Sequence, residues 1–273
     1  MEHVALVFMN PVNDERAEEF NNWYVFVHLF DVLVMKDSAI AAQRFIQSKY
    51  QPKGFDPYFK WLTVYEVINK EAFVQGHIDV LSSYKCQIST AIDFGNFRES
   101  FWDNVCGNTP YASYAEFKPE NNVMTVQICE KDGLKAEEVF APEVVYELAA
   151  MDGIYAANLY SLSEFQMAKK SAAPEIYTHQ LVIQFKDARD GIASWEAFVE
   201  KYPDITRLDT SICNFVNVMP RLKACDCWWP TMQDRGLFAL THTLTSLPGF
   251  SRSSNVEDIV TPAVKQKIDA MQE

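Results

Sequence analysis

Short apolar runs alternate with amphipathic stretches along the first half of this chain. Residues 4–9 (VALVFM) are apolar and partly β-branched, which predicts a buried strand. The string Asn10-Pro11-Val12-Asn13 reads as a turn and helix start, and Asp14 and Glu15 complement a helix N-terminus. A helix is predicted over 14–35, ended by Lys36-Asp37-Ser38. Residues 39–48 read as a strand, 51–58 as a loop with two Pro and one Gly, and 59–68 as a strand rich in β-formers. A helix over 70–83 follows, then a weakly patterned stretch, then an alternating segment at 111–117 that is predicted as the fourth strand. The order is β-α-β-β-α-β.

The second half repeats that order with different residues. Strands are predicted at 122–129, 153–161, 177–185 and 210–221, with a polar loop at 166–174. A helix is predicted over 134–151, where Pro142 must kink or split it, and another over 194–202 with Ser194 as N-cap. The chain therefore carries a duplicated split β-α-β unit. A four-stranded ferredoxin-like sheet has helices on one face only, and its other face must be covered. Two such units in one chain can cover each other. The fold class predicted is α+β: tandem ferredoxin-like units closing into an intramolecular, pseudo-dimeric α/β barrel. The division expected is 1–118 for the first unit, 119–225 for a degenerate second unit, and 226–273 for an extension with a closing helix over 260–271.

Composition narrows the partners. With 48% hydrophobic residues and 22% charged residues, the chain can build a real core, and 19 Phe, 12 Tyr and 6 Trp can also line an apolar pocket. A net charge of −13 argues against nucleic acid or anionic membrane as the main partner. No run of about 18 apolar residues is present, and the N-terminus lacks a signal-peptide pattern. Cys86, Cys106, Cys129, Cys213, Cys225 and Cys227 then read as free thiols of a cytoplasmic protein. Cys225-x-Cys227 lacks the spacing and second ligand pair of a zinc site, so no metal is expected. A Gly-rich phosphate loop and a nucleophile elbow are also missing.

The chemistry concentrates on the first helix. Residues three and four apart share a face, so Asn21, Tyr24, His28 and Asp31 form a polar stripe. Trp23, Val27, Phe30 and Val34 form an apolar one. An imidazole can give and take a proton near neutrality; Asp31 could orient it and Tyr24 could donate to a developing oxyanion. The plainer alternative is a packing histidine, with Asp31 paired to Arg44. His179 shares the more apolar face of its strand with Tyr177, Leu181 and Ile183, where it contacts either a pocket or the core.

Residues 10–45 also carry a resemblance. Asn10-Pro11, Glu19-Phe20-Asn21, Trp23-Tyr24, His28, Asp31-Val32-Leu33 and Ala42-Gln43-Arg44-Phe45 are similar to the first unit of the dimeric α/β-barrel superfamily, in its EthD-like branch. The second unit resembles the superfamily in element order only; its first helix has no Trp-Tyr pair and no His. Members include dehydratases, polyketide cyclases, muconolactone isomerases, cofactor-free monooxygenases and haem enzymes, so fold underdetermines function. In several members the histidine of this motif lines the pocket. The stripe and the resemblance together point to catalysis by His28, Tyr24 and Asp31, with Phe20, Asn21, Trp23 and Phe45 binding substrate; strand alternation adds Trp61 and Tyr65, which share a face with Thr63, and His179 as further substrate-binding candidates. The function expected is a cofactor-independent lyase or isomerase acting on a small hydrophobic aromatic or polyketide-like carbonyl compound by elimination, cyclisation or isomerisation. The alternatives are a cofactor-free monooxygenase of a phenol and a non-catalytic binding or assembly protein. The internal duplication removes the usual need for a homodimer without excluding one.

Overall fold

Eight strands account for the architecture of the computed structural model, which describes residues 2–35, 38–55, 59–82, 89–107, 121–166 and 177–224. They are β1 (His3–Pro11), β2 (Ala39–Gln47), β3 (Trp61–Val67), β4 (Ile92–Gly107), β5 (Asn122–Cys129), β6 (Ile154–Leu162), β7 (His179–Phe185) and β8 (Asp209–Lys223). The helices are α1 (Ala17–Trp23), a π turn at Tyr24–His28, α2 (Leu29–Met35), α3 (Lys70–Ser82), α4 (Ala136–Val139), α5 (Pro142–Ala149) and α6 (Ala188–Lys201).

The strands form a closed barrel in the order β1-β3-β2-β8-β5-β7-β6-β4. Each half contributes its strands in the ferredoxin-like order: β4-β1-β3-β2 from the first, β8-β5-β7-β6 from the second. The α+β fold class and the closed barrel expected from the duplication are both present. Closure removes the sheet edges that four-stranded units would otherwise expose.

Several local expectations change. The fourth strand of the first half is β4, in the stretch that hydrophobic pattern left unassigned; residues 111–117 lie outside the described residues, as do residue 118, residue 225, Trp228, Trp229, His242 and the segment 226–273. Pattern failed at β4 because Arg98 and Ser100 are buried beside Phe101 and Trp102, which erases the contrast between faces. Pro142 splits the expected helix, sitting at the first position of α5 where a missing N–H costs nothing. The last helix starts at Ala188, not near 194. Asp187 caps it by accepting from Arg189 N, while the Ser194 hydroxyl donates to Asp152 O from mid-helix. Gly191 is a helical residue packed against the Phe185 ring.

The chain clusters into two compact units. The first is built of Met1–Met9, Gln43–Val67 and Asn96–Arg221; the second includes Asn10–Ala42 and Ile68–Gly95.

In the first unit, the strands of the second half are buried on both faces. Met124, Val126, Ile128, Leu181, Ile183 and Phe185 form one apolar core with Ala136, Val145, Leu148, Trp195 and Phe198 of the helices. The opposite face of the same strands, carrying Thr125, Gln127, Gln180, Val182 and Asn158, looks into the barrel and is buried as well. In the second unit, Arg16 binds Glu19 through both carboxylate oxygens, at 2.9 and 2.5 Å, and donates to Thr90 O and Oγ1 at 3.0 and 2.8 Å. Val12 N donates to Ala91 O. These bonds anchor the start of the helix to residues 90–91.

Candidate active site on the first helix

The π turn reshapes the helix where the chemistry was expected. Leu29 N donates to Tyr24 O, five residues back, so one extra residue is accommodated in this turn. Single π turns inside α-helices recur at functional sites, because the insertion turns side chains away from the regular 3.6-residue stripe.

That shift brings Trp23 and His28 together. Their rings stack with centroids 4.8 Å apart and planes 25° apart. Tyr24 meets the same imidazole edge-on, at 4.8 Å and 71°. Tyr24 also packs edge-on against Trp23 at 5.5 Å and against Phe20 at 5.9 Å. The regular helix predicts Trp23 on an apolar stripe apart from His28. The structure replaces that with an aromatic nest in which His28 stacks on the Trp23 ring, five residues back, and meets Tyr24, four residues back, edge-on.

Burial grades across this nest. Phe20 and Tyr24 are fully enclosed, whereas Asn21, Trp23 and His28 are half-buried. A held, half-buried imidazole beside an indole can exchange a proton with a planar molecule laid against the same rings. Asp31, one turn on in α2, is 1% exposed.

The other expected wall residues lie on strands. Trp61, Thr63 and Tyr65 alternate to one face of β3. The buried Arg44 marks that face: its Nη1 donates to Thr63 Oγ1 at 2.8 Å, and its guanidinium stands 4.8 Å over Trp61. Residue Leu62 faces the other way, paired with Phe8, whose ring packs on Phe215 inside the barrel at 6.2 Å. Trp61 and Tyr65 therefore point outward from the barrel. Phe45, next to Arg44 on β2, alternates to the inner face. It does not share a face with Trp61 and Tyr65.

His179 sits at the start of β7 on the face of Leu181 and Ile183. Its Nδ1 lies 3.0 Å from Thr178 Oγ1 and its Nε2 lies 3.4 Å from Glu137 Oε1. Glu130 is 3.8 Å away and accepts from Ala136 N at the start of α4 and from Lys135 Nζ. Burial pulls the Glu130 carboxyl up, but those donors outweigh it and hold it below the ordinary carboxylate range. This constellation pins α4 to the sheet. Among the described residues, no group of three His, Cys, Asp or Glu is placed to hold a metal.

Sequence reasoning missed the π turn, which has no signal in residue spacing. It singled out Arg44, the single charge in the strand AIAAQRFIQ, but not its bond to Thr63.

No protein-family model matches the chain, and no curated protein matches it. Solved structures share its fold. An anthrone oxidase-like protein superimposes over 85% of this chain and 97% of its own, with TM-score 0.55 and 11% identity. A protein from Fusobacterium nucleatum, provisionally described as a monooxygenase, covers 81% of this chain and 96% of its own, with TM-score 0.51 and 11% identity. The common feature is the closed eight-stranded α/β barrel. No helix among the described residues is long and apolar enough to cross a membrane.

Proposed function

We propose that this chain is an EthD-like enzyme that takes a proton from a small hydrophobic carbonyl or phenolic compound at His28. The observation that carries the reading is the π turn, which sets one imidazole between Trp23 and Tyr24 at 4.8 Å from each ring. A planar, apolar acid would rest on the same aromatic surface. His28 Nε2 or Nδ1 would accept the proton, and Tyr24 and Asp31 would support the charges that develop. No cofactor is required for that first step.

The anion so formed can expel a leaving group or rearrange, which is lyase or isomerase chemistry. It can also react with oxygen. Two of the structures that share the fold carry oxidase or monooxygenase names, which favours the oxygen branch as a second reading. Both branches share the proton transfer, so one variant tests both. His28→Gln should fold as the parent does and lose at least about 100-fold in turnover of a polyketide-like or phenolic substrate, a typical loss for a general base. Oxygen uptake measured alongside product formation separates the branches. Unchanged turnover in folded His28→Gln would sink the assignment and favour a binding-only protein.

A further inference from the structure

The two seams where the half-barrels meet, β2–β8 and β6–β4, end in the same kind of turn. The chain leaves β2 through Ser48-Lys49-Tyr50-Gln51 and leaves β6 through Ser163-Glu164-Phe165-Gln166. Both read Ser, a charged residue, an aromatic residue, Gln. At the first seam Ser48 N donates to Asn214 O of β8 at 2.8 Å, and Ser48 Oγ accepts from Tyr50 N at 3.0 Å. At the second, Ser163 N donates to Phe101 O of β4 at 3.0 Å, and Ser163 Oγ accepts from Phe165 N at 3.2 Å. The serine hydroxyl bends the chain out of the sheet in both places. All of these residues belong to the first compact unit.

A strand that leaves a sheet abandons its neighbour. Here β8 and β4 continue past the departing chain, and Asn214 and Phe101 are fully buried. A buried peptide N–H needs a partner. The glutamine side chains supply it. Gln51 Oε1 accepts from Asn214 N at 2.8 Å, and Gln51 Nε2 donates to Asn214 O at 2.8 Å. Gln166 Oε1 accepts from Phe101 N at 3.0 Å, and Gln166 Nε2 donates to Phe101 O at 2.8 Å. The second Nε2 hydrogen returns to the turn, to Ser48 O at 2.7 Å and to Ser163 O at 2.8 Å.

A side-chain amide carries the donor and acceptor of a peptide. It exchanges both bonds with one residue, as a paired strand residue does. Each glutamine thus adds one rung to the ladder after its own strand has gone. It reads only main-chain atoms, so the receiving residue can be Asn at one seam and Phe at the other. The residue before each glutamine reinforces the contact: Asn214 Nδ2 donates to Tyr50 O at 2.9 Å, and the Phe101 ring packs on Phe165 at 6.0 Å. Two whole strands separate the seams on either side of the barrel, β5 and β7 one way and β3 and β1 the other. The two turns share no residue.

We infer that Gln51 and Gln166 are the latches of the barrel: each holds one seam shut, and release of either loosens that seam alone. The serine-to-glutamine turn is one device used twice, in equivalent places of the two halves.

Native-state hydrogen exchange on the full-length chain tests this. Gln51→Met keeps the side-chain length and removes the three amide bonds. It should speed exchange of the Ser48 and Asn214 amides at least about tenfold more than exchange of the Ser163 and Phe101 amides. Gln166→Met should do the reverse. Glutamate at either position keeps the acceptor but sets a carboxylate against two carbonyl oxygens. Gln51→Glu and Gln166→Glu should therefore loosen their own seam more than methionine does at neutral pH. Gln51→Asn and Gln166→Asn, one methylene short, take the place of a methionine variant that does not fold, and should show the same one-sided pattern. The inference is overturned if a folded methionine or asparagine variant speeds exchange at both seams alike or at neither, or if the glutamate variants exchange as the parent does.

Discussion

Glu66 and Arg221 set the terms for single residues inside this barrel. Arg221 binds the Glu66 carboxylate with Nε at 2.5 Å and Nη2 at 2.8 Å, and the two side chains are 1% and 4% exposed. A pair this buried gains little over apolar packing, but half of it alone is costly. Glu66→Gln should therefore lose about 3–5 kcal/mol in urea unfolding. The Glu66→Met/Arg221→Met double variant should recover most of that loss; failure to recover would mean the charges themselves hold the strands. His28 follows a different logic at the same scale. An imidazole can carry a proton near neutrality, and the rings of Trp23 and Tyr24 pack against this one.

Among the elements, α6 packs closely on β7. A Cβ at Gly191 would lie 2.5 Å from Phe185 Cγ and 2.7 Å from both Cδ atoms. In an open helix Gly→Ala gains about 1 kcal/mol. Here overpacking costs about 1–3 kcal/mol and outweighs the gain. Gly191→Ala should lower Tm, and Phe185→Leu placed beside it should return part of the loss. An unchanged or raised Tm for Gly191→Ala would show that α6 slides freely on the sheet. A residue that usually interrupts helices is required here by the ring beneath it. The π turn is the converse case, a departure from regular helix that no residue in YVFVH announces.

At the scale of the whole molecule, closure joins two sheets of identical strand order through β2–β8 and β6–β4. Each four-stranded half alone would leave its inward face, with Gln127, Gln180 and Phe215 or with Phe8 and Phe45, open to water. Residues 1–118 and 119–273 expressed separately should self-associate or aggregate. Co-expressed, they should reassemble into a complex with the mass of the intact chain by light scattering. Two stable, monomeric halves would contradict closure as the source of stability. The same closure explains why Gln127, Asn158 and Gln180 are buried: a face that reads as solvent-exposed in a flat sheet becomes interior when the sheet curls shut.

Local pattern alone determined most of the element order, because strand and helix periods, Pro142 and the Asn10-Pro11 turn act over a few residues. Duplication of that order was also legible, and with it the barrel, since a one-sided sheet must find a cover. Tertiary structure alone decided where both faces of a strand are enclosed. Alternation separates Gln180 and Gln184 from Leu181 and Ile183, yet says nothing about which set meets water. The placement of β4 and the assignment of Phe45 and Trp61 to opposite faces both depend on contacts between distant segments. Those contacts come from barrel closure and close packing, which no window of sequence contains.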